Sequence, residues 1–135
     1  MFETIKLGKI YNMDCLTFMR QVPDKHFDLI FTDVPYNVGK DYGAYKDNLS
    51  DVDYLVWLND VLNEVKRISN FQIIYPAKKY ILETWNMLGK DFQQIVFTTS
   101  TSGAIRYGHA NQFTSLLVKA KPNGVIPNHY HNIPS

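Results

Sequence analysis

The stretch Phe27-Asp28-Leu29-Ile30-Phe31-Thr32-Asp33 sets three large apolar residues side by side, then an acid, and Pro35 follows. A strand with one wet face alternates apolar and polar residues. One that stays apolar at consecutive positions is covered on both faces, as a central strand of a parallel sheet is. Parallel neighbours in turn require crossover connections, usually helices. This one segment therefore asks for an α/β chain, and the rest of the sequence supplies the helices.

Residues 9–14, KIYNMD, read as a short strand ending at an acid, and 15–22, CLTFMRQV, as a short helix with Leu16, Met19 and Arg20 on one side. A turn over 23–27 leads into the strand 27–33. Residues 37–50 carry two glycines and many polar groups and read as a long loop, a length that is usually functional. Ser50 with Asp53 makes a capping-box-like start for a helix over 51–68. Its apolar face is Leu55, Leu58, Val61, Leu62, Val65 and Ile68. FQIIYPA (71–77) is a strand stopped by Pro76, KKYILETWNML (78–88) a helix closed by Gly89, and FQQIVFTTS (92–100) another strand. A polar loop over 101–112 leads to a last strand, FTSLLVKAKP (113–122), ended by Pro122. The order predicts a three-layer α/β domain over 1–122 and an irregular tail over 123–135. Ligands bind such sheets beyond the carboxyl ends of the strands. That places Asp14, Asp33 to Asn37 and the residues around Pro76 on one edge.

The 135 residues suit one domain with a modest core. A net charge of +1 gives no global field for coating nucleic acid, so any such contact must be local. Cys15 is the lone cysteine, which excludes an internal disulfide and suits a reducing, cytoplasmic setting. No apolar stretch approaches the roughly 20 residues of a membrane span, and the first residues lack the apolar core of a signal peptide.

The chemistry sits in Asp33-Val34-Pro35-Tyr36. A carboxylate beside a backbone carbonyl accepts both protons of an amino group and so polarises an aromatic amine towards a nucleophile. Pro35 holds Val34 extended, which aims the Val34 carbonyl beside Asp33. Tyr36 offers a stacking face, worth roughly 1–3 kcal/mol if the flat partner is a base. Four residues alone also describe an ordinary turn with a core tyrosine, so their surroundings decide.

Those surroundings, IYNMDCLTFMRQVPDKHFDLIFTDVPYNVGKDYG followed by DYLVWLNDVLNEVKRI, resemble the exocyclic-amino DNA methyltransferases, which act on adenine N-6 or cytosine N-4. The resemblance is to the permuted group, in which the catalytic motif precedes the cofactor motif. It is detailed over residues 8–68 and looser to 122. It implies a Rossmann-like methyltransferase sheet in which Asp33 and the Val34 carbonyl hold the target amine, Pro35 shapes the turn and Tyr36 stacks on a flipped base. It sets Asp14 near the adenosine part of S-adenosylmethionine, and Asn37 fits the residue that often follows the aromatic. Val34 stands where the family usually has proline. The required group is its carbonyl, so the change leaves the motif's chemistry in place.

The family's cofactor loop, Phe-x-Gly-x-Gly, has no counterpart. Glycines stand at 8, 39, 43, 89, 103, 108 and 124, and no two are spaced as Gly-x-Gly. The resemblance therefore implies a truncated sheet lacking the glycine-rich strand-loop-helix, with no turnover and little affinity for S-adenosylmethionine by this chain alone. It also leaves the 27–33 strand with an unpaired edge and uncovered faces, which calls for a homodimer or a complementing second polypeptide unless the 9–14 strand moves in.

Lys40, Lys46, Lys78, Lys79 and Arg106 lie in loops or at helix starts near this edge, where they either contact DNA phosphates or are ordinary surface charge. Tyr42, Tyr45 and Tyr107 are available for stacking. In the family the loop before the last strand reaches DNA, which favours Arg106 and Tyr107. His109, His129 and His131 lack partners at ligand spacing and read as surface residues, not a metal site. Ser100, Ser102, His109 and Asp33 lack a nucleophile elbow and make no hydrolase triad. Three functions follow: the target-base half of an amino-methyltransferase, a cofactor-free DNA-binding or regulatory descendant, or a structural protein on the same scaffold.

Overall fold

A computed structural model describes residues 5–6, 8–42, 45–98 and 113–119. The elements run α1 (Cys15–Met19), β1 (Phe27–Asp33), β2 (Asp41–Tyr42), β3 (Tyr45–Lys46), α2 (Asp51–Ile68), β4 (Ser69–Tyr75), a 3-10 turn (Lys78–Tyr80), α3 (Ile81–Leu88), β5 (Phe92–Thr98) and β6 (Phe113–Lys119). The main sheet has the order β1-β4-β6-β5. Its β1–β4 pair is parallel, joined by α2 as the crossover, while β4–β6 and β5–β6 are antiparallel. The α/β reading is borne out, and β1 and α2 have the bounds read from the sequence.

Helix α2 begins where it does because Ser50 caps it, its hydroxyl accepting from the Asp53 N–H at 3.1 Å. Asp51 and Asp53 lie in its first turn and Lys66 and Arg67 in its last, each sign matched to the helix dipole. Its inner stripe, Tyr54, Leu58, Val61, Leu62, Val65 and Ile68, is buried. It meets Ile74 of β4 and Leu117 of β6 in the core cluster. Each such side chain contributes about 1.5–3 kcal/mol by leaving water. Gly89 ends α3 at φ 92°, a backbone state that glycine adopts without strain.

Register assigns the faces of the sheet. Ile30 pairs with Gln72 and Thr32 with Ile74, and these point to the helical layer. Leu29 pairs with Phe71 and Phe31 with Ile73, on the opposite face. There Leu29 is 52% and Phe31 62% exposed. β1 is also an edge strand among the described residues. The doubly apolar strand thus has one covered face, one bare face and one unpaired edge.

Residues 9–14 do not form the strand read from their sequence. A strand needs a neighbour, and these residues leave β1's outer edge unpaired. Ile10 is 98% exposed instead, while the Tyr11 ring packs at a tilt on Phe18, centroids 5.1 Å apart, and its hydroxyl accepts from the Lys6 N–H at 2.9 Å. The 37–50 loop is more ordered than expected, because β2 and β3 pair as a short antiparallel ladder within it. The tail and the 101–112 loop lie outside the described residues.

Candidate active site

β1 delivers Asp33 to the carboxyl edge of the sheet, where it pairs with Tyr75 at the end of β4. The Val34 N–H extends that ladder by donating to the Tyr75 carbonyl at 3.4 Å, and the Val34 side chain is buried. The next carbonyl, that of Pro35, accepts from the Tyr54 hydroxyl at 2.6 Å. Tyr36 then stacks on Tyr75, with ring centroids 6.1 Å apart and planes inclined by 22°. The Tyr75 hydroxyl is 3.2 Å from Thr114 Oγ1, which ties this aromatic pair to β6. Burial, followed by hydrogen bonding to Asp33, holds the Tyr36 hydroxyl well above its ordinary pKa of 10.0, so Tyr36 stays a neutral donor beside the Asp33 carboxylate.

Asn37 leaves this turn at φ 53°, in the left-handed region that asparagine tolerates better than most residues. Its Nδ2 donates to the Leu49 carbonyl at 2.9 Å and to the Tyr80 hydroxyl at 3.2 Å. The N–H groups of Asn37 and Val38 donate to the two carboxylate oxygens of Asp47 at 2.8 and 3.1 Å. Asp47 is buried, and its carbonyl also accepts from the Gly39 N–H. The loop after the motif is therefore fastened on both sides.

A cavity of about 490 Å³ opens against the helical side of β1. Ile30 to Pro35 form one wall, Trp57, Val61 and Val65 another, and Met13, Asp14, Cys15 and Met19 a third. Asp14 caps α1 by accepting from the Thr17 N–H at 2.8 Å, and that bond lowers its pKa below 3.8. Asp14 and Asp33 thus line one cavity, although no strand carries Asp14 there. Asn37 does not line it, since its amide is turned into the loop. Lys40 is exposed. Lys79 forms a surface ion pair with Asp51 at 2.7 Å. Arg106, Tyr107 and His109, His129 and His131 lie outside the described residues, as do the side chains of Tyr42, Tyr45 and Lys46. Among the described residues no cluster of His, Cys, Asp and Glu is set to hold a metal ion, and no helix is long and apolar enough to cross a membrane.

Sequence reasoning missed Tyr54, Tyr75 and Asp47. Tyr54 falls four residues before Leu58 on the apolar stripe of α2, a signal that was present in the spacing. Tyr75 is the residue before Pro76 at the strand end. Asp47 had no signal beyond its place in a polar loop.

A DNA methylase family model matches residues 27–129, which is most of the chain. The chain belongs to the DNA methylase family. Its relatives include the type II methyltransferase M.BamHI of Bacillus amyloliquefaciens, 43% identical over 63 residues that make up 46% of this chain and 15% of the relative. The type II methyltransferase M.HpaI of Haemophilus parainfluenzae is 36% identical over 76 residues, 54% of this chain and 24% of the relative. The DNA adenine methyltransferase YhdJ of Escherichia coli K12 is 28% identical over 127 residues, 84% of this chain and 42% of the relative. This DNA methylase chain therefore spans less than half the length of each of these relatives.

Proposed function

We propose that this chain carries the target-base half of a DNA amino-methyltransferase site. Asp33 and the Val34 carbonyl receive the exocyclic amine of an adenine or cytosine, Pro35 holds the turn, and Tyr36 stacks on the base. The observation that carries the reading is the meeting of Asp33 with the Tyr36–Tyr75 pair at the carboxyl edge, in a chain of this family. DNA is the substrate the family implies, and Lys40, Arg106 and Tyr107 are the residues assigned to its backbone and bases.

DNA methylases generally draw the methyl group from S-adenosylmethionine. The lining of the cavity does not fit that group by itself. Its charged members are Asp14 and Asp33, with no cation for the cofactor's carboxylate and no glycine where a backbone must approach closely. The chain alone is therefore assigned no turnover and little affinity for the cofactor. A complementing segment, in the same or another polypeptide, supplies the rest and pairs with the bare edge of β1. Calorimetry of the purified chain with S-adenosylmethionine tests this, with no measurable heat expected. Tight one-to-one binding overturns the incompleteness. The misfit of this cavity's lining, among the described residues, also favours a second reading, a DNA-binding descendant without chemistry. A gel shift with duplex DNA by the chain alone, unchanged in an Asp33→Ala variant, selects that reading.

A further inference from the structure

From the bonds around the motif we infer that Tyr54 and Asp47 are positioning residues, Tyr54 for the Val34 carbonyl and Asp47 for the Tyr36 ring, an inference that rests on the base-pocket reading. Four tethers fix the short turn, and they come from three separate parts of the chain. The Val34 N–H is held by Tyr75 of β4, and the Pro35 carbonyl by the Tyr54 hydroxyl of α2 at 2.6 Å. The Asn37 and Val38 N–H groups are held by Asp47, the residue that follows β3.

The geometry of a peptide chain makes these tethers informative. With the peptide planes flat, a carbonyl turns only when the φ and ψ angles on either side of its plane turn. Pro35 fixes its own φ. The Tyr54 bond to the Pro35 carbonyl fixes the following plane, and the Tyr75 bond to the Val34 N–H fixes the preceding one. The Val34 carbonyl lies between two clamped planes, so its direction is determined by the bonds on either side of it. Tyr54 is itself immobilised. It is buried, and its ring stacks on Tyr80 at 4.5 Å with planes 29° apart. Tyr80 in turn donates to Asp51 at 2.8 Å and accepts from Asn37. The clamp therefore runs from the start of α2 through two tyrosines to both ends of the turn.

Asp47 acts on the other side of Tyr36. Its carboxylate takes two successive N–H groups, a charge-assisted pair that holds Asn37 at its left-handed φ. This fixes where the chain leaves Tyr36, and so the tilt at which its ring presents to a base. A carboxylate with no base contact is thereby joined to the stacking residue through backbone alone.

The test uses the purified full chain with isotope labels on valine carbonyl carbons and proline nitrogens. The sequence holds two Val–Pro pairs, Val22–Pro23 and Val34–Pro35, so the carbon–nitrogen correlation spectrum has one probe peak and one internal control. The control carbonyl, that of Val22, is bound by Arg67 at 2.8 Å and takes no part in the tethers of the motif. Adenosine and cytidine are titrated separately. One of the two is expected to move the Val34 peak and leave the Val22 peak in place. Tyr54→Phe keeps the ring and removes the hydroxyl. It is expected to weaken that nucleoside about two- to tenfold and to diminish the Val34 response, with the Val22 peak unchanged as evidence of an intact fold. Asp47→Asn is expected to weaken the same nucleoside through the tilt of Tyr36. Equal affinity and an equal Val34 response in wild type and Tyr54→Phe overturn the positioning role while leaving the base pocket standing. No response to either nucleoside in the wild-type chain overturns the base pocket, and the positioning role falls with it.

Discussion

Replacing Val34 by proline restores the residue that the motif usually carries and tests how the turn is held. Three effects can be set against one another. Proline narrows the unfolded ensemble and favours folding by about 0.4–1 kcal/mol when its backbone angles suit the site. The preceding residue must be extended, and Asp33 already is, as the last residue of β1. Against this, the Val34 N–H is lost, and with it the bond to the Tyr75 carbonyl. A backbone bond is worth about 0.5–1.5 kcal/mol net, and at 3.4 Å this one belongs at the low end. The buried valine gives way to a ring of similar size, so the cavity term is small. The sum lies within about 1 kcal/mol of zero. Urea unfolding followed by the emission of Trp57 and Trp85 measures it, with the slope checked for constancy. A loss above about 2 kcal/mol at unchanged slope would refute the reasoning, because the long bond would then be holding the turn alone.

Leu58→Ala, at a position with no solvent exposure in the middle of α2, is expected to cost about 2–5 kcal/mol in the same assay. For Asp51, the hydrogen bonds from Lys79 and then Tyr80 lower the folded pKa below its ordinary 3.8. A depressed carboxyl contributes stability above the unfolded value and loses it as pH falls through the folded value. Asp51→Asn should therefore flatten the acid limb of a stability profile below about pH 4, and an unchanged limb counts against the Lys79–Asp51–Tyr80 contact. At the other end, the raised pKa of Tyr36 favours the neutral phenol in the folded state. Stability is expected to fall as pH rises above 10.0, and Tyr36→Phe should remove that part of the loss in an alkaline melt series.

What could be read in the sequence was punctuated by chemistry. Ser50 and Asp53 marked the start of α2, and the acid and proline after Phe31 marked the end of β1. Both survive in the structure because local capping and strand-end signals act without distant partners. Residues 9–14 failed for the opposite reason. Their apolar content suits a strand, yet a strand exists only through its neighbour, and a short sequence window cannot say whether one is present. The order of β6 between β4 and β5 was likewise invisible, since antiparallel insertion depends on long-range pairing. At the site, the motif itself was legible and its support was not. Tyr54 looked like one more face residue of α2, and Asp47 like one more loop acid. Their roles arise from bonds to backbone atoms 19 and 10 residues away.

Arg67 gives the cavity an uneven construction. α1 has five residues, too few to persist on its own helical bonds. Its far end is fastened by one guanidinium that takes the Met19 carbonyl at 2.7 Å and the Val22 carbonyl at 2.8 Å, while also pairing with Asp24 and Glu64. Two cavity walls thus belong to the rigid β1–α2 unit, and the third is suspended from the last turn of α2. In hydrogen exchange, the amides of Phe18 and Arg20, bonded only within this short helix, are expected to exchange well before those of α2. The wall held by one side chain is the part of the cavity expected to loosen first, while the Asp33–Tyr36 turn stays tied to α2 and β4.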